Sequence, residues 1–180
     1  MFKLILRYGL TAGIIVAVPM LWAMLTATRE QAHLGGMLVG YLTMLVALTA
    51  VFLGVKRYRD TVKGGVIKFL PALGVGLAIS VVASLIYMLS WEVSMALSPF
   101  DFAAWWQHQM IDGAKAHGAS AEELARVTKE AQDFAVMYAN PLWRMSMTFA
   151  EMFPVGLLVS LITAAVLRNP RVLPARAPAV

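Results

Sequence analysis

Long apolar runs separated by short clusters of charge set the pattern of this chain. A helix rises 1.5 Å per residue, so crossing roughly 30 Å of hydrocarbon takes about 20 predominantly apolar residues. Four segments reach that length, at about 8–27, 34–55, 68–90 and 145–167. The first follows Lys3 and Arg7 and is too long for an ordinary signal-peptide core. No clean small-x-small cleavage site ends it, so it reads as an uncleaved helix. The last stops at Leu167, ahead of Arg168-Asn169-Pro170.

The connection at 98–140 has a different pattern. Ser98-Pro99-Phe100-Asp101 reads as a helix start, with a cap, a proline at the first position and an acid three residues after the cap. Phe102, Trp105, Trp106, Met110 and Ile111 follow, and Gly118 breaks that helix. Ser120 to Glu123 reads as a second capping box. Leu124, Val127, Ala131, Phe134 and Tyr138 then fall on one helical face, with Glu122, Glu123, Arg126, Lys129, Glu130 and Asp133 on the rest. Opposite charges four apart, Glu122/Arg126 and Arg126/Glu130, support it. Two amphipathic helices are expected here, either as a lid on the outer headgroups or as a surface for a partner protein.

Small residues recur every fourth position in all four spans: Gly9, Gly13 and Ala17; Gly36 and Gly40; Ala72, Gly76, Ser80 and Ser84; Gly156, Ser160 and Ala164. That spacing lets helix backbones approach closely where lipid provides no hydrophobic drive for association. The expected fold is therefore a single all-α membrane domain over 1–180. It has four transmembrane helices in a compact bundle and two extracytoplasmic amphipathic helices between the third and fourth spans.

Composition agrees. Hydrophobic residues make up 60% and charged residues 14% of the chain, against about a half and a quarter in soluble domains. The formal net charge of +5 does not point to nucleic acid, because the basic residues flank apolar spans. Ten of the fifteen lie on one side (Lys3, Arg7, Lys56, Arg57, Arg59, Lys63, Lys68, Arg168, Arg171 and Arg176), with Asp60 as the only acid. The positive-inside rule then places both termini and the 56–68 connection in the cytoplasm. Trp22, Tyr87, Trp91, Trp105, Trp106 and Trp143 gather at the opposite boundary, as an interfacial belt would. There is no cysteine, which excludes disulfides and thiolate chemistry.

Around the cytoplasmic connection, Val55-Lys-Arg-Tyr-Arg-Asp60 is followed by Gly64-Gly-Val-Ile-Lys-Phe69, then Ala72 and Gly74. Further on come Tyr138-Ala-Asn-Pro141, Phe149-Ala-Glu151, Pro154-Val-Gly-Leu157 and Ser160-Leu-Ile162. In these parts and their order the chain resembles the DUF4199 family of small bacterial membrane proteins. The resemblance implies four spans in the bacterial inner membrane, and it supplies no activity.

Chemistry has few places to reside. No phosphate-loop pattern surrounds Gly64-Gly65. The basic residues Lys56, Arg57, Arg59 and Lys63 are expected to meet anionic headgroups or a cytoplasmic partner, with Asp60 paired to Arg57 or Lys63. His33, His108 and His117 lack metal-ligand spacing, so neither metal nor cofactor is expected, and no catalytic residue is assigned. Ser80 and Ser84 have no base at their depth. The acids nearest the hydrocarbon are the exception. Twenty residues counted from the cytoplasmic ends reach about Tyr87 and Thr148, which puts Glu92 just outside the outer edge and Glu151 about one turn inside. Arg144 lies two turns before Glu151, with Thr148 between, and Pro154 frees the carbonyl of Ala150. Glu92, Arg144, Thr148 and Glu151 are thus expected to form a polar pocket roofed by the Trp105/Trp106 helix.

Three functions compete. A non-enzymatic accessory or scaffold subunit that binds a partner fits the absence of catalytic motifs best. A binder or carrier of a lipid or small amphiphile would use the outer pocket. An intramembrane enzyme on a lipid-linked substrate would use Glu92 or Glu151 as acid or base. The expected surroundings are membrane lipids and another membrane protein or a homo-oligomer, not nucleic acid.

Overall fold

A computed structural model describes residues 1–26 and 34–175. Six helices follow one another: α1 Phe2–Thr26, α2 Leu34–Val62, α3 Phe69–Leu97, α4 Phe102–Ala116, α5 Ala121–Tyr138 and α6 Pro141–Leu167. Phe2–Thr26, Leu38–Val62, Phe69–Leu97 and Pro141–Leu167 are each long and apolar enough to cross a bilayer, so the protein is a multi-pass membrane protein. The helices outrun the apolar windows read from sequence. α2 continues two turns past Val55 because Lys56–Asp60 forms an i,i+4 ion pair at 2.5 Å. It ends where Gly64 and Gly65 adopt φ of +65° and +91°, a conformation that costs other residues a clash with Cβ.

The small-residue ladders set which helices touch. A Cβ on Gly9 would lie 2.6 Å from Val82, and one on Gly13 equally close to Ile86, so α1 and α3 pack parallel. Gly76 faces Ser160 and Gly156 faces Ser80, at 3.0 and 2.8 Å by the same measure, so α3 and α6 pack antiparallel. At that crossing Ser80 Oγ donates to the Gly156 carbonyl at 3.2 Å and lies 3.1 Å from Ser160 Oγ. α2 completes the bundle against α1, α3 and α6. Its close approach is made by Gly54, against Ile79 and Tyr8. Among the described residues, a Cβ on Gly40 would meet nothing within 4 Å, so the ladder read at that end of α2 makes no contact with them through it. The surroundings of its companion, Gly36, lie outside what the structure describes. The core fills between these crossings with Leu48, Val51, Val55, Ile79 and Met152.

α4 and α5 form a helical hairpin over one end of the bundle. Its first cap differs from expectation: Asp101, not Ser98, accepts from the Ala104 amide at 3.0 Å. Ser98 instead closes α3, accepts from the Phe100 amide and donates to the Met24 carbonyl of α1 at 2.7 Å. A hydroxyl satisfying the end of a neighbouring helix outweighs a local cap. α4 ends before Gly118 at φ +74°, and Ser120 caps α5 by accepting from the Glu123 amide at 3.2 Å.

Candidate functional site at the hairpin end of the bundle

Asn140 accepts from the Leu142 amide at 3.0 Å and Pro141 opens α6, which fixes the first turn and aims Arg144 across at α3. Glu92 receives it. Arg144 Nε donates to Glu92 Oε1 at 2.8 Å and Nη2 to Oε2 at 2.5 Å, a two-pronged pair with side chains 14% and 22% exposed. The third donor, Nη1, reaches the Tyr138 carbonyl at 3.0 Å, and the guanidinium lies 5.6 Å from the centre of the Tyr138 ring. Trp91 Nε1 donates to the Tyr138 hydroxyl at 2.7 Å. Burial pushes that phenol above its ordinary range, so it stays protonated.

Around this pair the aromatic rings pack on one another. Trp91 meets Phe102 edge-on at 5.2 Å, Phe134 stacks on Tyr138 at 5.2 Å, and Trp106 and Trp143 flank Phe134 at 6.2 and 5.8 Å. Such offset and edge contacts add about 0.5–1.5 kcal/mol per pair beyond their buried area. One ion pair and one aromatic cluster therefore tie α3, α4, α5 and α6 together.

The four residues expected to share a pocket divide between two sites. Glu92 and Arg144 meet. Thr148 is buried and donates to the Arg144 carbonyl at 2.9 Å along its own helix. Glu151 does not join them: among the described residues its partner is the Tyr87 hydroxyl, which donates to Oε2 at 3.1 Å. Tyr87, Trp91 and Tyr138 read from sequence as an interfacial belt and a packing stripe, yet their polar atoms complete both networks. Their spacing from Glu92 and Glu151 on the same or facing helices was the available signal.

At the opposite end the basic residues are not equivalent. Arg57 and Lys63 are exposed and Lys56 is half-buried, but Arg59 is fully buried. Its Nε donates to Asp60 at 2.8 Å, Nη1 to the Val172 carbonyl at 2.9 Å, and Nη2 to the Leu173 carbonyl. Arg59 thus holds the chain after α6 and is withdrawn from any headgroup or partner. Asp60 pairs with Lys56 and Arg59, not with Arg57 or Lys63, because the helix continues and places those cations beside it. Among the described residues no cluster of three or more His, Asp or Glu side chains could hold a metal; His33 lies outside them.

The family model described as a protein of unknown function, DUF4199, matches residues 7–169. The chain belongs to the DUF4199 family. Nothing matches it among curated proteins or among solved structures. The DUF4199 match runs unbroken through the α4–α5 hairpin and includes Glu92, Arg144, Glu151 and Arg59. It ends before Val172 and Leu173, whose carbonyls Arg59 holds.

Proposed function

We propose that this DUF4199 protein is a non-enzymatic scaffold of the bacterial inner membrane that presents the α4–α5 hairpin outside the cytoplasm to a partner protein. The observation that carries this reading is the hairpin's two-sidedness. One face is locked to the bundle by the Glu92–Arg144 pair and the aromatic cluster. The other is solvated and laced with ion pairs, Arg126–Glu130 at 2.8 Å and Lys129–Asp133 at 3.1 Å. Arg126 also reaches Glu123 at 3.8 Å, where sequence spacing favoured Glu122.

Charge favours a protein partner over the lipid surface. The 98–140 segment holds six acids (Asp101, Asp112, Glu122, Glu123, Glu130, Asp133) against Lys115, Arg126 and Lys129, a net of −3. Helices that lie on headgroups carry Lys and Arg on their polar face. A net-acidic, rigid face instead suits a partner with a basic surface. Orientation rests on the opposite end, where Lys3, Arg7, Arg57, Lys63, Lys68, Arg168 and Arg171 have no acidic partner among the described residues. The enzymatic reading keeps only Glu151 of its two candidate acids, because Arg144 holds Glu92 in a two-pronged ion pair.

Purification in mild detergent tests the proposal. A stoichiometric protein should accompany the wild type. Reversing Glu122, Glu123 and Glu130 to Lys should cut its recovery at least tenfold while the helical content stays unchanged. A wild-type protein that purifies alone, or a partner retained after reversal, contradicts it.

A further inference from the structure

Three acids lie in the described spans. Asp60 and Glu92 have cationic partners, whereas Glu151 has only the Tyr87 hydroxyl and remains exposed on the outer surface of α6. A carboxylate facing the bilayer without a cation is costly, so such residues mark binding sites or pathways.

A groove lies further along α6, its lining on that helix beginning at Val159, about two turns from Glu151. Leu45, Leu48, Phe52 and Leu53 of α2 and Val159 and Ile162 of α6 line a space of about 330 Å³, within the roughly 300–1,000 Å³ of small-molecule sites. Leu45, Leu53 and Ile162 are exposed, so the groove opens toward the bilayer. Its register follows from Leu48, whose Cδ2 would lie 3.6 Å from a Cβ on Gly156. α2 and α6 run parallel, so Leu45 stands level with position 153, about 3 Å deeper than Glu151. Val155, Val159 and Ile162 follow Glu151 down the same face of α6. One face of α6 therefore leads from a lone carboxylate at the outer edge of the hydrocarbon down to this apolar groove. Tyr41, exposed one turn above Leu45, offers a hydroxyl beside that edge.

We infer that this α2/α6 face binds a membrane lipid with a primary-amine headgroup, its ammonium on Glu151 and an acyl chain in the groove. Charge selects this occupant over a second copy of the chain. Among the described residues, Arg144 is the only basic residue in the outer halves of the spans, and Glu92 holds it. Among the described residues, the spans of a second copy would bring no unpaired cation to Glu151. The ammonium supplies N–H donors to a carboxylate whose Oε1 has no partner among the described residues. This site is separate from the hairpin surface, and each can fail without the other.

The test titrates the purified full chain in detergent with dioleoyl phosphatidylethanolamine, phosphatidylcholine and phosphatidylglycerol, counting bound lipids by native mass spectrometry. Phosphatidylethanolamine should bind at least tenfold more tightly than the other two. Glu151→Gln should remove that preference. Leu45→Trp, which fills the groove from an exposed position, should weaken all three. Equal binding of the three lipids by the wild type overturns the inference, as does a preference that survives Glu151→Gln. Should Glu151→Gln fail to fold, Leu45→Trp decides: a phosphatidylethanolamine affinity unchanged by it places the lipid elsewhere. A lipid-insensitive dimer that Leu45→Trp disrupts also overturns it.

Discussion

Arg144 and Arg59 are cations that the fold withdraws from water, one at each end of the bundle, and each holds elements together. Removing one partner of a buried pair leaves an uncompensated charge, at a cost of roughly 3–5 kcal/mol. The Glu92–Arg144 pair is partly buried, so Glu92→Gln or Arg144→Gln alone should lose about 1.5–3 kcal/mol, the range for hydrogen bonds to charged groups, and the double variant should recover part of it. Reversible unfolding in mixed micelles measures the coupling. The tryptophans give a second contrast. Trp91 Nε1 is bonded to Tyr138, whereas Trp105 Nε1 is buried without a partner among the described residues. Trp91→Phe should cost about 1 kcal/mol more than Trp105→Phe, the net worth of a typical hydrogen bond. Counting depth along α3 and α6 brings Glu92 and Arg144 to one level. The partner of Glu151 depends on helix rotation, which counting does not contain. Arg59 was hidden for another reason: a basic cluster at a span end reads as headgroup-facing, and only the chain folding back after α6 buries one member.

At the scale of elements, the bundle rests on a few close crossings. Gly156→Val would place a Cβ 2.8 Å from that of Ser80 and should destabilise by about 1–3 kcal/mol through overpacking. Gly40→Ala, with nothing within 4 Å among the described residues, should be neutral or slightly stabilising. Thermal melts in detergent distinguish them. In the hairpin, Ala131 and Tyr138 are buried and Phe134 is partly so, while Lys129 points outward, 79% exposed. Phe134→Asp should lower the folded yield severalfold and Lys129→Ala should not. The stripe of α5, its cap and the four spans were legible because hydrophobic periodicity and capping chemistry are local. The start of α4 was not, because Ser98 is claimed by α1 and the cap passes to Asp101. Spacing alone also cannot tell a small residue at a crossing, such as Gly156, from one facing open space, such as Gly40.

The molecule as a whole joins a basic end, a four-helix membrane bundle and, at the opposite end, an acidic hairpin, which the proposed function places outside the cytoplasm. The four long apolar helices support the architecture, and the charge asymmetry supports the proposed orientation. Both scaffold and lipid readings require Glu151 and the hairpin to face away from the cytoplasm. Because the sequence contains no cysteine, single cysteines report this without background. Thr61, exposed near the end of α2, and Ala119, in the turn between α4 and α5, are the positions to compare. A membrane-impermeant thiol reagent applied to intact cells with a permeabilised outer membrane should label Ala119→Cys and leave Thr61→Cys unmodified until the inner membrane is opened. Labelling of Thr61→Cys with protection of Ala119→Cys would contradict the account.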